Sequence, residues 1–173
     1  MPAQSPAIAN EFIRLAAAEG RRLTQMQLQK LAYIAHGWNL AINRAPLVTD
    51  ELQAWDYGPV FPKLYDSAKY FGSASIPRPL TDMDSDRFAF FLGKPSDPAG
   101  RPLVADISPA ERDVLQRVWR RYGGYSAFKL SDLTHKPGTP WYQTYFGPGK
   151  SAPIKNETIR AHYVELARRA TAA

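Results

Sequence analysis

The sequence predicts a mainly α protein, a compact single-domain bundle of about six or seven helices with one small β-hairpin. Thr24 and Ser108 each stand three residues ahead of a glutamine or glutamate. At that spacing, side chain and backbone at a helix start satisfy each other's free N–H groups. Behind both starts, apolar residues recur at steps of three and four, the period of one helix face. The hairpin is read from short apolar segments between residues 47 and 60, broken by polar and Gly-Pro pairs.

The elements follow in chain order. Ser5 reads as a cap with Pro6 at the first helical position, and Ile8, Phe12, Leu15 and Ala16 mark a buried face before Gly20 ends the helix. Leu23 and Leu28 bracket the Thr24 start as a hydrophobic staple. From there Leu28, Leu31, Ala35, Trp38 and Ile42 run down one face of a long central helix. Gly37 inside it loses about 1 kcal/mol of helix propensity against alanine, so a close neighbour is expected at that point. Leu47-Val48, a polar turn at Thr49-Asp50, and Leu52 to Trp55 read as two short strands. In Tyr57-Gly58-Pro59-Val60 the proline disfavours the helical region for Gly58, and the chain must turn. A helix from Pro62 carries Leu64, Tyr65, Ala68 and Phe71 to a stop at Gly72.

Residues 73–107 read as one irregular loop within a single domain spanning 1–173. They hold Pro77, Pro79, Pro95, Pro98 and Pro102, with acids at Asp82, Asp84 and Asp86, and only Phe88 to Leu92 reads as packed. Pro109 then follows the Ser108 cap, and Val114, Leu115, Val118, Trp119 and Tyr122 form the buried face of a helix that Gly123-Gly124 ends. Ser126 caps a short helix through Leu130 and Leu133 to His135. Thr139-Pro140 opens a turn with Trp141, Tyr142 and Tyr145. Asn156 caps a last helix bearing Ile159, Tyr163, Leu166 and Ala170.

Composition narrows the function. The 173 residues are 45% hydrophobic and 12% aromatic, enough apolar surface to offset chain entropy. No cysteine is present, which excludes thiolate catalysis, zinc fingers and disulfide scaffolds. No apolar run reaches the ~18 residues of a membrane span. Asn10, Glu11 and Arg14 interrupt the only leader-like segment, so a cytoplasmic protein is expected, with no membrane partner. The net charge is +6 and the isoelectric point about 9.6, a balance that suits nucleic acid or an acidic protein. The basic groups at Arg117, Arg120 and Arg121 and at Lys150, Lys155, Arg160, Arg168 and Arg169 are diluted by Glu111, Asp113, Glu157 and Glu165, as on solvated helix faces.

Three chemistries compete. His36, His135 and His162 show no i, i+4 pairing and no H-E-x-x-H, and no phosphate loop or nucleophile elbow occurs, so neither a catalytic residue, a metal nor a cofactor is expected. The stretch from Leu23 to Ala32 resembles the first helix of a helix-turn-helix, but Gly37 misses the turn position by one and Trp38, Leu40 and Ile42 continue the same helix. Sequence-specific DNA binding, as by an operon regulator, is therefore the alternative and not the expectation. Protein binding draws on Trp55, Tyr57, Tyr65, Tyr70, Trp141, Tyr142 and Tyr145, aromatics near Gly/Pro turns. Such residues bury large areas with little rotamer entropy lost, and core packing is the competing use of them.

The segments Leu28-Gln29-Lys30-Leu31, Tyr33, His36-Gly37-Trp38, Pro46-Leu47, Ala54-Trp55, Tyr57-Gly58-Pro59-Val60 and Leu64-Tyr65 resemble the Panacea domain family, which includes phage-associated proteins and SocA-like antitoxins. Leu115, Tyr122-Gly123, Leu130, Leu133-Thr134-His135 and Pro140-Trp141 continue the likeness, which covers about residues 10–145; Lys94 to Pro102 looks like an insertion. The resemblance implies an antitoxin that neutralises a cognate toxin by direct contact, either blocking it or presenting it to a protease. It carries no catalytic residues. With no appended helix-turn-helix domain, operon repression does not follow from it, and it leaves the toxin and the oligomeric state open. Trp55, Tyr57, Gly58, Pro59, Tyr65, His135 and Trp141 are the expected toxin-binding residues, centred on the turn.

Overall fold

The computed structural model describes residues 2–84 and 100–172. Among them lie seven α-helices: α1 (Ser5–Ala18), α2 (Gln25–Ile42), α3 (Pro62–Ala68), α4 (Pro109–Tyr122), α5 (Ala127–His135), α6 (Pro140–Tyr145) and α7 (Asn156–Ala172). A short 3₁₀ turn, Lys69–Phe71, extends α3. Strands β1 (Gln53–Trp55) and β2 (Gly58–Val60) form an antiparallel hairpin in which Trp55 pairs with Gly58 and Gln53 with Val60. The expected mainly α bundle with one small hairpin is the observed fold.

Helix α2 is the centre. It packs against α1, α3, α4, α5, α7 and β2, and its residues from Leu28 to Gly37 are all buried. Its capping box is complete: the Thr24 hydroxyl accepts from Gln27 N–H, and the Gln27 side chain accepts from Thr24 N–H. Leu23 and Leu28 are both buried beside it, as the staple requires. The single apolar face expected for this helix understates it. Gln29, Lys30, His36 and Asn39 are buried too, whereas Trp38 is half-buried and Ile42, at the helix end, is exposed.

Several expected starts hold. Ser108 with Glu111 forms the second capping box, and Ser126 and Thr139 cap α5 and α6. Two starts differ. Gln4, not Ser5, precedes α1, and Ser5 donates through its N–H and hydroxyl to the two Asp50 carboxylate oxygens at 2.7 and 2.5 Å. A carboxylate from another segment thus satisfies a helix start that lacks a local cap. Asn156 is the first residue of α7, and its side-chain oxygen accepts from His36 Nε2 at 2.8 Å. Because Val48 N–H donates to His36 Nδ1, the ring is the neutral Nε2–H tautomer, and burial lowers its pKa. His36 therefore joins α2 to α7 and to the segment after α2.

The hairpin also corrects the sequence reading. Leu47-Val48 is not a hairpin strand. Val48 makes one isolated parallel bridge with Ala3, and the polar pair Thr49-Asp50 serves α1 instead. The true turn is Asp56-Tyr57, and the left-handed step falls on Gly58, with φ +105°. The outer edge of β1 is covered by residues 151–154, through Ser151 N–H to Ala54 O and Ala54 N–H to Ala152 O, so no open edge is left there.

In the loop, residues 73–84 and 100–107 contain no helix, as expected, while Phe88 to Leu92 lies outside the described residues. Asn10 of α1 ties both described arms together, donating to Leu80 O and Leu103 O and accepting from Leu80 N–H.

Gly37 has the close neighbour its position required. A Cβ there would run into the Tyr163 ring of α7, which stacks edge-on against Trp38. Gly37→Ala should therefore lower stability by about 1–3 kcal/mol despite alanine's better helix propensity. Gly124→Ala, which meets open space, should change stability by less than about 0.5 kcal/mol. Denaturant midpoints of the two variants decide it, and equal midpoints would contradict the packing described.

Candidate protein-binding site

The hairpin turn is held from below by α2. Gln29 makes a two-way amide clamp on Phe61, accepting from its N–H at 2.9 Å and donating to its carbonyl at 3.1 Å. One residue on, Lys30 Nζ donates to Pro59 O at 3.1 Å. Gly58 lies directly over this amine, and a Cβ there would meet Nζ at 2.6 Å and His135 Cε1 at 3.0 Å. Only glycine satisfies both the left-handed φ and the lack of space.

The flank is held by α5 and α6. Trp141 Nε1 donates to Trp55 O at 2.7 Å, and Trp55 meets Tyr65 of α3 edge-on with centroids 5.0 Å apart. The His135 ring lies 4.3 Å from Trp141. His135 Nε2 faces Asp56 O at 3.3 Å and Nδ1 faces Ser131 O at 2.7 Å. Tyr145 stacks on Trp141, and its hydroxyl donates to Asp56 Oδ1 while Lys150 pairs with Oδ2 at 2.6 Å. Hydrogen bonds from Lys150 and then Tyr145 hold the Asp56 carboxyl below its ordinary range; Asp56 in turn raises both partners.

All seven expected contact residues are thus brought into one cluster, but they stand at different depths. Gly58, Pro59 and Trp141 are buried, and Trp55, Tyr65 and His135 are half-buried. Tyr57 alone is exposed, at 73%. Beside it, Phe128 at the start of α5 is 83% exposed. Tyr57, Gln25 and Met26 separate two cavities: one of about 780 Å³ toward Phe128 and His135, the other of about 560 Å³ toward Trp55, Tyr65 and Lys150, with Lys30 in its wall. Among the described residues no cluster of three or more His, Asp or Glu suits a metal. His36 and His135 have separate sets of partners, His36 at the α7 start and His135 under the turn.

The family described as "Antitoxin SocA-like, Panacea domain" matches residues 28–142. The chain belongs to that family. This Panacea match opens at the α2 motif and closes within α6, so it takes in Gln29, Lys30, the hairpin, His135 and Trp141, and leaves Lys150 and α7 outside. Among curated proteins, the antitoxin SocA of Caulobacter vibrioides (strain NA1000 / CB15N) is 29% identical over 151 residues, covering 83% of this chain and 71% of the relative. No solved structure matches significantly. The Panacea-type motifs Q-K-L and Y-G-P-V, far apart in sequence, are the two halves of one contact, the Gln29-Lys30 clamp on the backbone at Pro59 and Phe61.

Sequence reading missed Lys30, the Asp56–Tyr145–Lys150 group and Phe128. For Lys30 a signal exists: from Leu23 to Asn43 it is the only charged side chain. A helix without a charged face is buried all round, and its one lysine with it. Burial alone, with no opposing charge, pushes the Lys30 amine down to about 7 from 10.5. The folded chain therefore binds fewer protons at this group than the unfolded one between those values, and stability should rise with pH across that range. We expect a rise of up to about 1.4 kcal/mol per pH unit between pH 7.5 and 9.5, absent from Lys30→Met. Urea titrations at several pH values measure it, and parallel slopes for the two proteins would show that the amine is not desolvated as described.

Proposed function

We propose that this chain is an antitoxin that neutralises a cognate toxin by direct binding through the hairpin-turn surface, acting as one unit in the cytoplasm. The observation that carries the reading is Tyr57: an exposed aromatic on a turn fixed from three sides. Lys30 and Gln29 hold β2, Trp141 holds Trp55 O, and Asp56 is held by Tyr145 and Lys150. A side chain presented on fixed backbone loses little entropy on binding, and a tyrosine adds a hydroxyl to a large apolar area. Membership of an antitoxin family supports a toxin as the partner. One buried cluster containing residues of every helix from α1 to α7 supports action as a unit. Binding would neutralise either by covering the toxin's active surface or by delivering it to a protease.

The other six residues of the cluster serve this reading chiefly as the support of Tyr57, with Trp55, Tyr65 and His135 adding half-exposed area. A DNA-reading function finds less support: α2 is one unbroken helix across the helix-turn-helix-like stretch, and basic side chains such as Arg117 and Arg169 pair with Asp113 and Glu165 on their own helices.

The test is Tyr57→Ala. Toxin affinity should fall at least ~30-fold, about 2 kcal/mol, with the melting temperature nearly unchanged. Trp141→Ala, which removes a buried ring and its hydrogen bond, should instead destabilise the fold by about 3–5 kcal/mol. If Tyr57→Ala melts far lower while its folded fraction binds toxin at full strength, the turn is scaffold and the contact lies elsewhere.

A further inference from the structure

A buried amine with no counter-charge destabilises a fold, and Lys30 is such an amine. It is fully buried, its one hydrogen bond is to Pro59 O, and among the described residues no carboxylate pairs with it. A methionine would fill the same space without desolvating a charge. Asp56, the acid that borders the same cavity as Lys30, is already engaged with Lys150 at 2.6 Å. Lys30 nevertheless forms part of the wall of the 560 Å³ cavity, whose other walls include Trp55, Val60 and Tyr65. A second polar atom there is unsatisfied: Gln25 Oε1 is buried without a hydrogen-bond partner, and Gln25 borders both cavities. Beside the paired Asp56 and Lys150, the site therefore offers one cationic donor without a counter-charge and one free acceptor in largely apolar surroundings.

We propose that this cavity receives a carboxylate of the toxin, an Asp or Glu side chain on a segment with apolar neighbours, and that Lys30 is its counter-charge. The inference rests on the toxin-binding reading and adds the chemistry of the contact. Charge complementarity selects the occupant: an amine in an apolar wall rewards an anion, and the chain as a whole carries +6. The apolar walls select its neighbours, and Gln25 Oε1 accepts a backbone N–H of the same segment. Water does not reach Lys30 in the free chain. Of the three side chains shared by the two cavities, Gln25, Met26 and Tyr57, the last two are the ones the partner displaces: an unbranched thioether and an exposed ring. Tyr57 thus anchors the partner and borders the pocket that reads its charge.

Two arms test this. In the first, random dodecapeptides displayed on phage are selected against the full chain, and the synthetic winners are measured by fluorescence polarisation. Selected peptides should carry an acid between apolar residues, and changing it to the amide should weaken binding at least tenfold. Lys30→Met should bind the amide peptide at least as well as wild type does and the acid peptide no better than the amide, while Lys150→Met, which also frees Asp56, should weaken both peptides and keep the ratio between them. Retained binding of the amide peptide tells a lost counter-charge apart from a turn merely displaced by Lys30→Met, which would weaken both peptides. Failure to select peptides, peptides without an acid, an unchanged acid preference in Lys30→Met, or one that follows Lys150 would each overturn the proposal. In the second arm the toxin is titrated against wild type and Lys30→Met. A toxin that wild type does not bind defeats the toxin-binding reading itself; a toxin that binds both equally defeats only the role of Lys30.

Discussion

Gln29 and Lys30, side by side on the central helix α2, hold the backbone of a short hairpin from below. Two strands of three residues each lack the ladder needed to persist in water. The Gln29 amide acts as a further rung on Phe61, Lys30 holds Pro59 O, and residues 151–154 cover the far edge of β1. A proline in β2 removes one backbone donor but leaves a carbonyl, and that carbonyl is the atom Lys30 uses. The chain thus supports a marginal hairpin by fixing it to a helix, α2, that is itself packed against five other helices.

That dependence explains which parts of the fold were legible in the sequence. Helix starts were legible because Thr24, Ser108 and Ser126 each cap through the residue three positions on, so the whole interaction fits in a short window. Ser5 and Asn156 were misread for the opposite reason. The same residue types spend their side chains on Asp50 and His36, partners 45 and 120 residues distant. The Leu47-Val48 strand failed likewise: a β-like composition says that a segment is extended and buried, not which segment it pairs with.

The residues expected to make the contact show the same divide. That Trp55, Tyr57, Tyr65, His135 and Trp141 belong together was readable from aromatics beside Gly/Pro turns and from the family's motif order. Their depth was not. Trp141 and Tyr57 look alike in sequence, yet one is buried with its N–H on Trp55 O and the other is open to solvent. Depth is set by α5 and α6 packing on the hairpin, a property of tertiary assembly that no local pattern encodes.

Lys30 was the hardest residue to read and shows most plainly what stability alone does not select. If the core were the only constraint, position 30 would favour methionine or leucine, because its neighbours Leu28, Leu31 and Ile34 are buried and apolar. The hydrogen bond to Pro59 O offsets part of the desolvation of an amine, since a neutral acceptor is a weak match for a charge. The remainder is a standing instability placed directly under the turn that carries Tyr57. Buried amines of this kind titrate near neutrality because they lack an anion, and an anion supplied from outside would relieve both the electrostatic strain and the free acceptor at Gln25 nearby. One of the side chains that fix the turn is therefore also the unmet charge beneath it: if the proposed carboxylate binds, the group that helps to hold the hairpin in the free chain is the group that gains a counter-charge.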